Sequence, residues 1–359
     1  MSTATPAFIA ALPKAELHLH IEGTLTQEKR KFFAERNGLP LAAKSFAALS
    51  VDAPSDGDHA DAAKQKGIAQ YKMFLDLYYA GLKVLQTEKD YYDLVFDYLR
   101  RCKENNIVYA EISFDPQAHT DRGVPMQAVV EGLAAGRKAG AATFGVESNL
   151  IMCINRDLPL DSALAMLRDA APYRDHIIGL GLDSVEDGHP PLKFLAAYER
   201  ARADGYRLTA HCDVDMTDAV QHMWQCLDDL RVERIDHGIN VLDDERLIEA
   251  VRERNICLTA CPTWRNGDPG PRRVDRIRRM YDLGLPVTLN TDDPGYFISG
   301  MMNDMLPPVA ALGAFSAADL AQFMVNAFAA AWLSREKRDG YIERVKTYLA
   351  DNAPEPGVN

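Results

Sequence analysis

Two histidines two positions apart, His18 and His20, stand in the run Leu17-His18-Leu19-His20. Alternate side chains of an extended strand share a face, so both imidazoles point one way and both leucines the other. Two converging neutral nitrogens are half of what a divalent metal needs. Other β-branched runs also end on polar residues: His211 closes Arg207–His211, and Asp292 follows Val287-Thr288-Leu289-Asn290-Thr291. Three imidazoles and one carboxylate form a borderline-soft N/O set that suits one zinc ion per chain, with a position left for water. His237 ends Arg234-Ile235-Asp236-His237 and is placed to orient that water or take its proton. Zinc lowers the pKa of water toward ~7, where an imidazole is well matched. The competing reading is a structural His237 resting on Asp236. Asp293 is read as a hydrogen-bond partner for a substrate rather than a ligand, because adjacent carboxylates diverge at a strand end.

Residues so far apart in the chain need a scaffold that gathers strand ends. Eight short runs read as strands: Glu16–His20, Ile107–Phe114, Val146–Ile154, Ile177–Asp183, Arg207–His211, Arg234–His237, Ile256–Cys261 and Pro286–Thr291. Helix-like stretches alternate with them: Glu88–Asn105, Met126–Gly140, Leu160–Ala171, Leu192–Ala203, Met216–Leu230, Asp244–Arg254 and Arg272–Leu283. The alternation predicts an α/β fold, a single (β/α)8 TIM-type barrel whose strand carboxyl ends share one mouth. A doubly wound sheet is disfavoured, since neither G-x-G-x-x-G nor G-x-x-x-x-G-K-[ST] occurs. The barrel is expected to span 1–350 as one domain, with 351–359 a tail. A helical insertion follows strand 1, from Thr24 to Asn106, interrupted by polar Val51–Lys64; Asp52–Asp61 reads as a mobile loop, of the kind that often covers a pocket.

Composition narrows the partners. The 359 residues are 47% hydrophobic and carry a net charge of −12, enough for a large core and wrong for a phosphate-neutralising surface. A small-molecule ligand is expected, with no nucleic acid and no membrane partner; oligomeric state is not readable from one sequence. Six cysteines without a Cys-x-x-Cys pair suggest reduced, mostly buried thiols in a cytoplasmic protein. No signal core or span of ~18 apolar residues appears.

The sequence resembles the adenosine/adenine deaminase branch of the metal-dependent amidohydrolases over nearly its whole length. Four motifs carry the resemblance: Pro13-Lys14-Ala15-Glu16-Leu17-His18-Leu19-His20-Ile21-Glu22-Gly23-Thr24, Tyr109-Ala110-Glu111-Ile112-Ser113-Phe114-Asp115-Pro116-Gln117, Arg234-Ile235-Asp236-His237-Gly238 and Asn290-Thr291-Asp292-Asp293-Pro294. Within that branch it is more similar to the free-base adenine group. Glu22 stands where nucleoside deaminases usually place an Asp near the ribose 5′-hydroxyl, and Gly181-Leu182-Asp183-Ser184-Val185-Glu186 matches the base-specific pattern. The resemblance implies zinc held by His18, His20, His211 and Asp292, and hydrolytic attack at C6 of a purine assisted by His237. It further implies Asp293 at the purine N7, and Ser184 and Glu186 at the imidazole or N3 edge.

Two departures stand against it. After the strand 5 histidine the family reads His-Ala-Gly-Glu, the Glu protonating the purine N1; here the run is His211-Cys212-Asp213-Val214-Asp215, and valine transfers no proton. Asp215, or failing that Asp213, is the expected substitute acid, since burial can raise a carboxylate's pKa. On strand 7 the family's Cys-Pro-x-Ser-Asn becomes Cys261-Pro262-Thr263-Trp264-Arg265-Asn266, where Trp264 either stacks on substrate or covers the rim. The leading expectation is therefore a zinc-dependent deaminase of adenine or an N6-substituted aminopurine. The alternatives are a zinc hydrolase of another heterocycle or bond, and a non-catalytic purine-binding barrel. A zinc deaminase of nucleic acids is excluded, because its H-x-E and P-C-x-x-C signature is absent.

Overall fold

A computed structural model describes residues 4–40, 60–212, 216–264 and 271–352. Eight parallel strands pair in chain order to form a nearly closed barrel. Helix α1 (Pro6–Ala11) precedes β1 (Lys14–Glu16), and α2 (Gln27–Arg36), α3 (Ala60–Leu82) and α4 (Glu88–Glu104) lead to β2 (Ile107–Phe114). Then come α5 (Pro116–Thr120), α6 (Met126–Phe144), β3 (Glu147–Asn155), α7 (Leu160–Ala170), β4 (Ile177–Asp183), α8 (Leu195–Ala203) and β5 (Arg207–Cys212). The second half runs α9 (Ala219–Trp224), β6 (Arg234–His237), α10 (Glu245–Glu253), β7 (Cys257–Ala260), α11 (Pro271–Asp282) and β8 (Val287–Leu289). Three helices finish the described chain: α12 (Met302–Leu312), α13 (Ala317–Ala330) and α14 (Arg335–Asn352).

Helices cover the strands from outside, so β2 is buried at every position and reads as a continuous apolar run broken only by Glu111 and Ser113. Close helix packing is written into one stripe: Gly132, Gly136 and Gly140 lie on one face of α6 against α4. A methyl at Gly136 would overlap Val95 and come within 2.6 Å of the Tyr92 carbonyl. At the amino-terminal end of the barrel the Trp332 ring stacks on the Arg234 guanidinium, 3.8 Å away, and Glu111 pairs with the same arginine.

The first strand differs from the expected Glu16–His20. Its ladder stops at Glu16, and beyond it only single bridges join Leu19 to Asp292 and His20 to Ser113. Side chains replace the ladder at this seam: Asn290 Oδ1 accepts the Leu17 amide at 2.9 Å, and Glu16 Oε1 accepts the Thr291 amide at 2.8 Å. The helix expected over Met216–Leu230 is a shorter α9 that widens into a π-helical turn at Gln225–Asp229, and Pro191–Phe194 form a 3-10 turn before α8. Helix α3 begins at Ala60, inside the stretch read as polar loop; the rest of that loop, 52–59, lies outside the described residues, as does the tail beyond Asn352. All six cysteines are buried and free. Among the described residues no helix is long and apolar enough to cross a membrane.

Candidate metal centre

His18 and His20, just past β1, meet His211 from β5 and Asp292 just past β8. The His20 and His211 Nε2 atoms are 3.1 Å apart, and Asp292 Oδ1 lies 3.5 Å from His18 Nε2 and 3.6 Å from His20 Nε2. Donors bound at about 2.1 Å to one zinc ion lie ~3 to 4 Å apart, so these separations suit donors gathered on one cation. All four residues are buried.

The tautomers agree. His18 Nδ1 is 2.9 Å from the Thr259 carbonyl, which only accepts, so Nδ1 carries the proton and the lone pair sits on Nε2. His20 Nδ1 faces Asp183 Oδ2 at 3.4 Å, and His211 Nδ1 faces Asp236 Oδ2 at 3.4 Å. His18 thus donates outward through Nδ1, and His20 and His211 turn Nδ1 toward a carboxylate at ion-pair distance, which leaves all three Nε2 atoms inward, the arrangement that orients histidine ligands. His18 Nε2 is buried and makes no hydrogen bond within the protein, as expected of an atom shaped for a cation.

Electrostatics follow from burial. Burial pushes His211 down to about 4, which keeps it neutral and able to ligate. Burial alone would raise Asp292, but the imidazoles of His18, 3.5 Å away, His237 and His20 hold its carboxyl well below the usual range. Behind His20, burial lifts Asp183 to about 7 and Asp115 well above its ordinary value, Asp115 further by the adjacent charges of Asp183 and Glu22.

Three residues at strand ends adopt left-handed backbone: Ser184 at φ +71°, His237 at +59° and Asp292 at +60°. Such conformations cost a side chain on the order of 1–3 kcal/mol and gather at functional sites. Their effect here is to break strand alternation. Asp236 faces His211 while its neighbour His237 also reaches the centre, with Nε2 3.9 Å from Asp292 Oδ2. The other expected site residues lie around this mouth. Asp293 packs on Gly23, where a methyl would overlap Asp293 Oδ1. Glu22 is buried, its Oε1 accepting the Asp115 amide at 3.1 Å and lying 2.8 Å from His119 Nε2. Ser184 is buried, Glu186 is tied to His222 and Arg156, and Trp264 is half-buried with its carbonyl accepting the Ile298 amide at 3.1 Å. Asp213, Val214, Asp215 and Arg265 lie outside the described residues.

Helix α3 crosses the mouth. The Tyr71 hydroxyl donates to the Ser184 carbonyl at 3.1 Å, the Tyr79 hydroxyl to Asp115 at 3.5 Å, and Phe74 stacks on Phe297 at 5.5 Å. It therefore touches the ends of β4 and β2 and the segment after β8. Sequence reading did not assign Thr259, Asp183 and Asp236 as outward partners, nor the thiol of Cys261 3.4 Å from His18 Nδ1, nor any role to the buried Arg156, His119 and His222. Most of these lie at or just past strand ends, the one available signal; His119 on α5 and His222 on α9 carried none.

The model of the family described as "Adenosine deaminase" matches residues 13–348. An uncharacterized deaminase of Schizosaccharomyces pombe is 41% identical over 344 residues, covering 96% of this chain and 97% of that protein. A solved adenine deaminase from Arthrobacter aurescens is 34% identical with a TM-score of 0.79, covering 95% of this chain and all of its own. An amidohydrolase from Burkholderia ambifaria, solved with bound Zn, is 27% identical with a TM-score of 0.83, covering 98% and 96%.

Proposed function

The chain belongs to the adenosine deaminase family and is a hydrolase of C–N bonds in cyclic amidines; from that premise we propose that it is a zinc-dependent deaminase of adenine or an N6-substituted aminopurine. The observation that carries this reading is the set of three inward Nε2 atoms and one carboxylate within reach of a single cation, with His237 beside it. His18, His20, His211 and Asp292 would hold the ion, and the Zn-bound relative supports its identity. When bound, zinc supplies Lewis acidity that makes a water nucleophilic at neutral pH.

The protein's own groups do the rest. His237 takes the water's proton as the oxygen bonds to C6, and C6 becomes tetrahedral. The C6–N bond then breaks, the amine leaves with a proton, and the oxygen remains on the ring. Asp293 engages the purine N7, Ser184 and Glu186 the imidazole or N3 edge, and Trp264 offers a stacking face at the rim. Glu22 stands where nucleoside deaminases usually place an Asp near the ribose 5′-hydroxyl, which favours a free base over a nucleoside. Ring protonation falls to Asp215, with Asp213 second.

The test is ammonia or amine release by the zinc-loaded protein from adenine, adenosine, N6-methyladenine and a few aminopyrimidines and aminotriazines. Turnover of a purine base at ~1 to 10³ s⁻¹ is expected. Because Val214 stands where the family resemblance leads to a Glu, the second reading is hydrolysis on a ring that needs no such protonation. Release from a pyrimidine or triazine alone would select it, and release from none would overturn both.

A further inference from the structure

The outward face of His20 opens on several oxygens that the metal centre does not use. Asp115 lies just past β2, Asn155 ends β3 and Asp183 ends β4, and all three are buried. Asn155 and Asp183 are register partners, so their side chains leave the same face of the sheet. One oxygen each of Asp115 and Asp183 and one ring nitrogen of His20 lie within 4.8 Å of one another. The Tyr79 hydroxyl ties in the amide: it donates to Asp115 Oδ2 at 3.5 Å and accepts from Asn155 Nδ2 at 3.4 Å.

Among the described residues no lysine or arginine pairs with either carboxylate; the basic side chain at hand is His20, whose Nδ1 is 3.4 Å from Asp183 Oδ2. Asp115 Oδ1, Asp183 Oδ1 and Asn155 Oδ1 accept no hydrogen bond within the protein, although Asn155 is only 6% exposed.

Two carboxylates so close inside a protein need a positive partner or a shared proton. A shared proton serves the pair and leaves the Asn155 oxygen unpaired, whereas a cation that donates in several directions serves all three oxygens. Hard divalent ions take about six to eight oxygens, more than gather here, while ammonium carries a tetrahedral set of N–H donors. We propose that Asp115, Asp183 and Asn155 form a binding site for ammonium, on the side of His20 turned away from the metal centre. On the deaminase reading, on which the origin of this cation rests, each turnover on an unsubstituted amine frees an ammonia that takes a proton from solvent at neutral pH. The site then holds the nitrogen of the product against the carboxylate that aims His20.

The experiment soaks crystals of the zinc-loaded protein in a thallous salt, whose ion is close to ammonium in size and marks its own position by anomalous scattering. A peak is expected within hydrogen-bond distance, ~3 Å, of the three oxygens, and excess ammonium chloride in the soak is expected to erase it. Asp115→Asn is expected to weaken thallous binding by ~10- to 10²-fold, read from peak height against thallous concentration, with the zinc peak unchanged. Asn155→Leu, which keeps both carboxylates, is expected to weaken it as well. No peak at the pair overturns the inference in favour of a shared proton, and a peak that yields to potassium but not to ammonium overturns it in favour of a potassium site. If no ring in the substrate panel releases ammonia, the source of the cation is gone and the function reading and this inference fall together, whereas ammonia release without a thallous peak sinks this inference alone.

Discussion

Each candidate imidazole ligand is aimed by a residue that never touches the ion. His211 and Asp236 sit opposite each other in the β5–β6 register, so the carboxylate meets Nδ1 across one strand spacing. Loss of such a partner usually costs 10- to 100-fold in metal affinity or activity. Asp236→Asn is accordingly expected to weaken zinc binding by about that factor, read by competition with a chromophoric chelator, and unchanged affinity would show that His211 needs no such support. Sequence reading reached His18 and His20 because their two-residue spacing is itself a geometric statement. It saw Asp236 only as a possible rest for His237. The partner is His211, because only the register of neighbouring strands decides which polar groups meet. Thr259 and Asp183 were silent for the same reason.

Elements were legible where their pattern is local. All eight strands lie within or overlap the expected runs, since β-branched residues between turn-formers mark strands without tertiary help. Helices α12 to α14 were not read; α12 contains Pro307 and Pro308, which signal a break, yet it continues through them. The seam at β1 was also misread, because Asn290 ends that ladder from the far end of the chain. Lys14 shows how elements are tied at the opposite end. Its ammonium donates to the carbonyls of Leu12 at 2.9 Å and Asn105 at 2.8 Å, joining the segments after α1 and α4 to β1. Burial lowers it to about 7, below its ordinary 10.5. Between those values the unfolded chain holds a proton that the folded chain has lost, so this group makes stability rise with pH from about 7 toward 10.5, and the gain disappears as pH falls through 7. Lys14→Met should flatten that rise relative to wild type in urea unfolding at pH 7 and 9. Parallel curves would place the titration elsewhere.

At the scale of the whole molecule the barrel has a sealed end and a working end. Trp332, Arg234 and Glu111 close the amino-terminal side, while every candidate ligand lies at the carboxyl ends, under α3. The weakest join in the sheet runs through the working end. Between β8 and β1 the connection rests on the Leu17 amide to Asn290, the Thr291 amide to Glu16, the Asp292 amide to the His18 carbonyl at 3.2 Å, and the His20 amide to the Asp292 carbonyl at 3.1 Å. The ligand set straddles this join, with His18 and His20 on one side and Asp292 on the other. A cation there is also a clasp: it closes the cylinder as well as serving the chemistry. Amide hydrogen exchange would reveal it. Stripping metal with a chelator should accelerate exchange at Leu17, His20 and Asp292 well before Leu180 or Leu208 on the β4–β5 wall opposite, and readdition should restore protection. Uniform acceleration around the barrel would instead make the ion a global stabiliser. A clasped cylinder couples the catalytic ion to the roundness of its own container, so a weakly loaded molecule would lose shape where it loses activity.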